Sequence, residues 1–142
     1  MTHDTLDDRV IAFLSAGTRT GKVGYVSASG RALVAPIWFI VDDGKLVFNT
    51  GADTAKGRAL TRDPRITLLV DDENPPFSFV QVQGNAQVSE DPDDLLDAAT
   101  RIAARYMGRD HADEYGRRNA VPGELLVRVT PTKVNAVFDI AD

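Results

Sequence analysis

Over the first fifteen residues the apolar side chains fall at Leu6, Val10, Phe13 and Leu14, the i, i+4, i+7, i+8 stripe of an amphipathic helix over Thr5 to Ser15. Thr5 and Asp8 stand three apart, the spacing of a capping box. The period then changes. Lys22-Val23-Gly24-Tyr25-Val26-Ser27 leans to β structure, Ser29-Gly30 makes a hairpin turn, and a second strand covers the apolar run from Ala32 to Val41, interrupted by Pro36. Asp42-Asp43-Gly44 turns the chain into a third strand, Lys45 to Thr50, with Leu46 and Phe48 on one face. These three strands are expected to form a meander.

Gly51-Ala52-Asp53 breaks that strand, Asp53 is expected to cap a short helix from Thr54 to Leu60, and Pro64 stops it. Ile66 to Val70 is apolar enough for a buried fourth strand. Phe77 to Val88 alternates at period two and makes a fifth, curved strand, with Gly84 as a bend or bulge. Asp91-Pro92-Asp93-Asp94 supplies an N-cap, an N1 proline and two first-turn acids ahead of a helical stripe at Leu95, Ala99, Ile102, Ala103 and Tyr106. A shorter helix is expected from Asp110 to Arg118, a turn at Val121-Pro122-Gly123, and a last strand or strands in Leu125–Val129 and Val134–Phe138. The helices do not alternate with strands as parallel βαβ units would. The pattern predicts one mainly β, α+β domain over residues 1–142, a six-stranded antiparallel closed or split barrel with flanking helices. Closure would also remove the edge that the apolar Ala32–Val41 strand would otherwise expose.

With 142 residues, 43% hydrophobic and 26% charged, the chain suits a soluble globular domain that buries on the order of 68% of its unfolded surface. The sequence has no cysteine, which removes thiol nucleophiles, thiolate metal sites and disulfides, and makes the cytoplasm the expected compartment. The ten-residue apolar run is far short of a membrane span, and the acidic first eight residues do not read as an export signal. A net charge of -5 has the wrong sign for a nucleic-acid or anionic-membrane partner.

Acid–base machinery is scarce. The two histidines are His3, near a terminus expected to fray, and His111, in a polar stretch, so neither a histidine metal site nor a triad is expected. Asp71-Asp72-Glu73 and Asp93-Asp94 sit where turns and helix starts collect acids. No residue stands out as catalytic and no metal is expected. Between Asp53 and Arg65, however, four bases face two acids, a local +2. Thr50 at a strand end, Thr54 and Ala55 at a helix start with free backbone N–H groups, and Lys56 beside them form a combination suited to phosphate. Lysine at that point opposes the helix dipole, a placement that an anion would relieve. An ordinary solvated helix would carry the same bases, and spacing does not separate the two. Likewise Trp38, Phe39, Phe77 and Phe79 offer flat surfaces or are simply core.

The order of segments carries a resemblance. Pro36-Ile37-Trp38-Phe39, Asp42 to Thr50, Ala55-Lys56-Gly57-Arg58-Ala59-Leu60, Arg62-Asp63-Pro64-Arg65, Val70-Asp71-Asp72-Glu73, Pro75-Pro76-Phe77-Ser78-Phe79-Val80 and Gly84-Asn85-Ala86 together resemble the pyridoxamine-phosphate-oxidase-like split-barrel superfamily. Within it the sequence is most similar to the actinobacterial branch of deazaflavin-dependent oxidoreductases, over residues 5 to 90 well and beyond them in outline. The resemblance implies a six-stranded split barrel, a homodimer, and flavin-type cofactors in clefts at the subunit interface. Thr50, Thr54, Ala55 and Lys56 match positions that take the cofactor phosphate, Arg58 is a candidate for an acidic tail, Pro36 and Trp38 would face the tricyclic ring, and Phe77-Ser78-Phe79 would approach from the other subunit.

Departures from the superfamily pattern favour one cofactor. The flavin mononucleotide enzymes carry an arginine and a lysine in the strand equivalent to Ala32–Val41, and this strand has neither. Their Arg/Gln pair is replaced by Ser78 and Phe79, and their C-terminal Arg-x-His substrate motif is missing. Coenzyme F420 is therefore the expected cofactor and flavin mononucleotide (FMN) the alternative. The expected activity is hydride transfer to a planar conjugated small molecule such as an enone, quinone or tetrapyrrole. Two rivals remain open, an FMN oxidase or flavin reductase and a carrier that binds the coenzyme without turnover.

Overall fold

The computed structural model describes residues 2–142. Its elements in chain order are β1 (Thr2–His3), α1 (Asp8–Ser15), β2 (Gly21–Val26), β3 (Ala32–Ile37), β4 (Ile40–Asp42), β5 (Lys45–Gly51), α2 (Ala55–Arg62), β6 (Arg65–Asp72), β7 (Ser78–Ser89), α3 (Pro92–Met107), α4 (Ala112–Asn119) and β8 (Glu124–Val137), with a 3-10 turn over Arg109–His111 ahead of α4. All strand pairs are antiparallel, and seven strands follow one hydrogen-bonded path in the order β3-β2-β6-β7-β8-β5-β4. The two-residue β1 pairs with β8 beside that path, so His3 lies opposite Val134 in the sheet rather than in a frayed end.

The expectation of six strands and closure is corrected here. β3 and β4 occupy the two ends of the path and do not pair with each other, so the sheet curls without closing. The cause lies in the segment read as one strand, Ala32 to Val41. Its first half pairs with β2, Ile37 opposite Gly21, and its second half pairs with β5, Ile40 opposite Val47. Trp38 and Phe39 span the break, and the meander is interrupted there. β3 keeps a free edge, where Pro36 is tolerated because it has no N–H to leave unpaired. The last segment resolves as one 14-residue strand.

Two faces of the sheet are covered, which explains its continuous apolar runs. Leu46 and Phe48 of β5 and Leu125, Val127 and Val129 of β8 point into the curl, where Val10 and Leu14 of α1 join them. Val47 and Leu126 point the other way, against Leu95, Ala98 and Ile102 of α3. Capping follows the sequence with two corrections. Asp91 caps α3, its Oδ2 accepting the Asp94 N–H at 3.0 Å. At α1 the cap is Asp7, accepting from Val10 N, because the helix begins later than the Thr5/Asp8 spacing suggested. At α2 it is Thr54 rather than Asp53. The register of β7 against β8 shifts between Gln83 and Gly84, the bulge expected at that glycine, and a Cβ at Gly84 would stand 2.4 Å from the Thr130 carbonyl oxygen.

Candidate functional site

The corner where β5 runs into α2 is built by close approach. Gly57 lies so near the strand end that a Cβ on it would meet the Gly51 carbonyl oxygen at 2.1 Å, so only glycine lets the helix start dock there. Thr54 Oγ1 donates to the Gly51 carbonyl at 2.7 Å and accepts the Gly57 N–H at 3.1 Å. Its one proton is thus spent, so in the 3.3 Å contact with Thr50 Oγ1 the Thr50 hydroxyl is the donor. Thr50 is 5% exposed, the one buried polar or charged residue among those described.

Two orphan donors remain. Ala55 and Lys56 occupy the first positions of α2, and among the described residues their N–H groups have no acceptor. No acid stands in that first turn, Lys56 is half-buried, and Arg58 donates from Nη1 to the Asp53 carbonyl. The carboxylate of Glu124, close to Gly51, is held by Asn49 Nδ2 at 2.8 Å. Thr50, Thr54, Ala55, Lys56 and Arg58 are therefore brought together as expected, into a patch of donors with no free acid in the helix's first turn. Such a patch fits a phosphate. Arg58 also lines a concavity of about 520 Å³ with Ala52, Thr61, Arg62, Val88, Glu90 and Leu125, two bases against one acid. A larger open groove of about 710 Å³ lies at the other end of α2, along Tyr25, Arg62, Arg65, Gln83 and Asn85, and does not include the corner.

Phe77-Ser78-Phe79 stand apart from it in the chain. Ser78 pairs with Asp72 whereas Arg65, just beyond α2, pairs with Asn85, so seven strand positions, roughly 23 Å, separate Phe77-Ser78-Phe79 from the helix end of that ladder. Phe77 has a left-handed backbone (φ +63°) and is 41% exposed; Ser78 Oγ accepts the Asp139 N–H at 3.0 Å; Phe79 is half-buried. Pro36 and Trp38 are exposed on the outward side of the β3 segment with Ala32 and Val34, the last of these 70% exposed.

Trp38 stacks on Tyr106 of α3, rings 3° from parallel and centroids 5.0 Å apart. The Tyr106 hydroxyl accepts the Phe39 N–H at 3.3 Å and donates to the Arg19 carbonyl at 2.9 Å. Beside it, Arg105 donates to four carbonyls: Phe39 (2.6 Å), Leu14 (2.7 Å), Gly17 (3.0 Å) and Ala16 (3.5 Å). Its guanidinium also lies over the Phe39 ring, 4.7 Å from the centroid. The N–H and C=O that Phe39 cannot pair in a ladder are thus both satisfied by α3 side chains. Burial lowers the pKa of Arg105 and raises that of Tyr106. Sequence reasoning missed this brace, because Arg105 looks like any last-turn cation. The paired acids are tied up locally, Asp71 by Lys22 and Asp72 by Arg19 and the Asn74 turn. Among the described residues no three metal-ligating side chains cluster.

Comparison with known proteins adds kinship. A conserved hypothetical protein of Mycobacterium tuberculosis is similar in structure, with a TM-score of 0.79 and 22% identity over 94% of this chain and 86% of that one. A protein named F420 reductase gives 0.68 and 22% identity over 87% and 94%, and a heme-binding protein of Mycobacterium smegmatis 0.67 and 20% identity over 89% and 52%. The sequence model of the pyridoxamine 5'-phosphate oxidase family matches residues 6–138, nearly the whole chain. The chain belongs to the pyridoxamine 5'-phosphate oxidase family.

Proposed function

We propose that this protein is an oxidoreductase that binds the deazaflavin coenzyme F420 and reduces a planar conjugated small molecule of the enone, quinone or tetrapyrrole kind. The observation that carries the reading is the donor corner: Thr50 and Thr54, the unpaired N–H groups of Ala55 and Lys56, and the Lys56 side chain. When bound, the coenzyme supplies two electrons as a hydride from its ring, and the acceptor's second hydrogen arrives as a proton from solvent. Lys56 and the α2 N-terminus would hold the phosphate, and Arg58, lining the neighbouring concavity, would meet an acidic tail. Trp38 and Pro36 would wall the ring with apolar surface. That segment, Ala32 to Val41, offers no base to an oxidised flavin, which favours F420 over FMN.

The working unit in this reading is a homodimer. The outward-facing Ala32 and Val34, beside Pro36 and Trp38, lie on a strand with a free sheet edge, the kind of feature a second copy covers. Phe77-Ser78-Phe79, remote from the corner in their own protomer, would then approach the partner's site.

The test is anaerobic turnover. Purified protein with reduced F420 and a panel of enones, quinones and tetrapyrroles should show acceptor-dependent recovery of coenzyme absorbance. Binding without such recovery for any acceptor would make the protein a carrier. Yellow protein as isolated, consuming oxygen, would make it an FMN enzyme.

A further inference from the structure

We propose that Tyr106 is a positioning residue that presents Trp38 to the coenzyme ring, an inference that rests on the function proposed above. Trp38 stands where the chain leaves one sheet edge and joins the other, so no ladder fixes it. It is nonetheless pinned. One face of its indole is covered by the Tyr106 ring at 5.0 Å and 3°, and the next residue's N–H is held by the Tyr106 hydroxyl. That hydroxyl donates in turn to the Arg19 carbonyl, and Arg105, 4.9 Å from the same ring, anchors the Phe39 carbonyl. Tyr106 is thereby locked from both ends, ring and hydroxyl. With one indole face occupied and the residue still 37% exposed, a planar ligand can stack only from the opposite side. A wall fixed before binding spares the cost of ordering an aromatic side chain when the ligand arrives.

The sequence contains one tryptophan, so fluorescence excited selectively in the indole reports this position alone. Two variants separate the stack from the hydrogen bonds. Tyr106→Phe keeps the ring and loses both hydroxyl bonds; Tyr106→Leu keeps an apolar group and loses the ring as well. F420 binding is read from coenzyme fluorescence anisotropy, and Trp38 mobility from acrylamide quenching. Tyr106→Leu should make Trp38 more quenchable and weaken F420 binding about 3- to 10-fold, the loss expected for one unfixed side chain. Tyr106→Phe should melt earlier than wild type yet keep quenching and affinity within about twofold, because the stacked ring remains. A merely structural role would instead make affinity follow melting temperature in both variants. If Tyr106→Leu frees Trp38 and binds F420 like wild type, the positioning role is overturned while the coenzyme reading stands. If Tyr106→Leu does not fold, Tyr106→Phe alone decides: lost affinity with unchanged quenching contradicts the role, and retained affinity despite a lower melting temperature supports it. If wild-type protein itself does not bind F420, the coenzyme reading and this inference fall together.

Discussion

The corner at Thr50–Lys56 and the brace at Trp38–Tyr106 solve opposite problems. At the corner the chain leaves donors unpaired: the Ala55 and Lys56 N–H groups face outward with no first-turn acid to answer them. At the brace both backbone groups of Phe39 are answered from within, the N–H by Tyr106 and the carbonyl by Arg105. Unmet donors at an exposed helix start cost little while water is there, and they become affinity when an anion replaces it. Unmet groups around fully buried Phe39 would cost stability at once. Loss of a donor at the corner should therefore show in binding, and loss of the hydrogen bonds that hold Phe39 should show in folding.

The largest effect is expected from Arg105→Ala. Four carbonyls lose a charged donor, and urea unfolding should show a loss of about 2–4 kcal/mol. Little change in the midpoint would mean that water replaces the guanidinium freely and the brace is not structural. Lys56→Ala should do the reverse, weakening F420 binding by about 1.5–3 kcal/mol, or 10- to 100-fold, with an unchanged melting temperature. Gly57→Ala sharpens the contrast by joining both consequences at one position. In most helices this change stabilises by about 1 kcal/mol. Here the added methyl meets the Gly51 carbonyl, so thermal unfolding should show a loss of about 1–3 kcal/mol, together with weaker coenzyme binding. The smallest effect is electrostatic. Burial raises the folded-state pKa of Tyr106 above its ordinary value of 10.0, so the neutral phenol is favoured in the fold. That contribution is complete below pH 10.0 and is lost as pH rises through the higher folded value. An alkaline stability profile should therefore fall from about pH 10 upward. Tyr106→Phe should remove that component.

Why one region could be read in the sequence and the other could not follows from the same contrast. A helix start is local: Gly51-Ala52-Asp53 breaks the strand ahead of Thr54, with the cap one residue later than expected, at Thr54, and the helix end two later, at Arg62. The bulge at Gly84 and the cap at Asp91 were legible for the same reason. The break at Trp38–Phe39 carries no turn residue, because both halves of the run are apolar and both belong in sheet. Its one clue is length, since ten residues exceed the usual five or six of a strand. Arg105 and Tyr106 act across 66 and 67 positions of sequence, a separation at which local pattern is silent. Closure failed as an expectation on the same point: the segment expected to seal the barrel supplies both of its ends.

The most direct test of the central claim is equilibrium titration of F420, followed by coenzyme fluorescence anisotropy, against wild-type protein, Lys56→Ala and Lys45→Ala. Lys45 lies at the opposite end of β5 and controls for overall charge. Saturable binding that Lys56→Ala weakens 10- to 100-fold and Lys45→Ala leaves intact is the expected result. No saturation with wild-type protein, or equal losses in the two variants, would contradict the account.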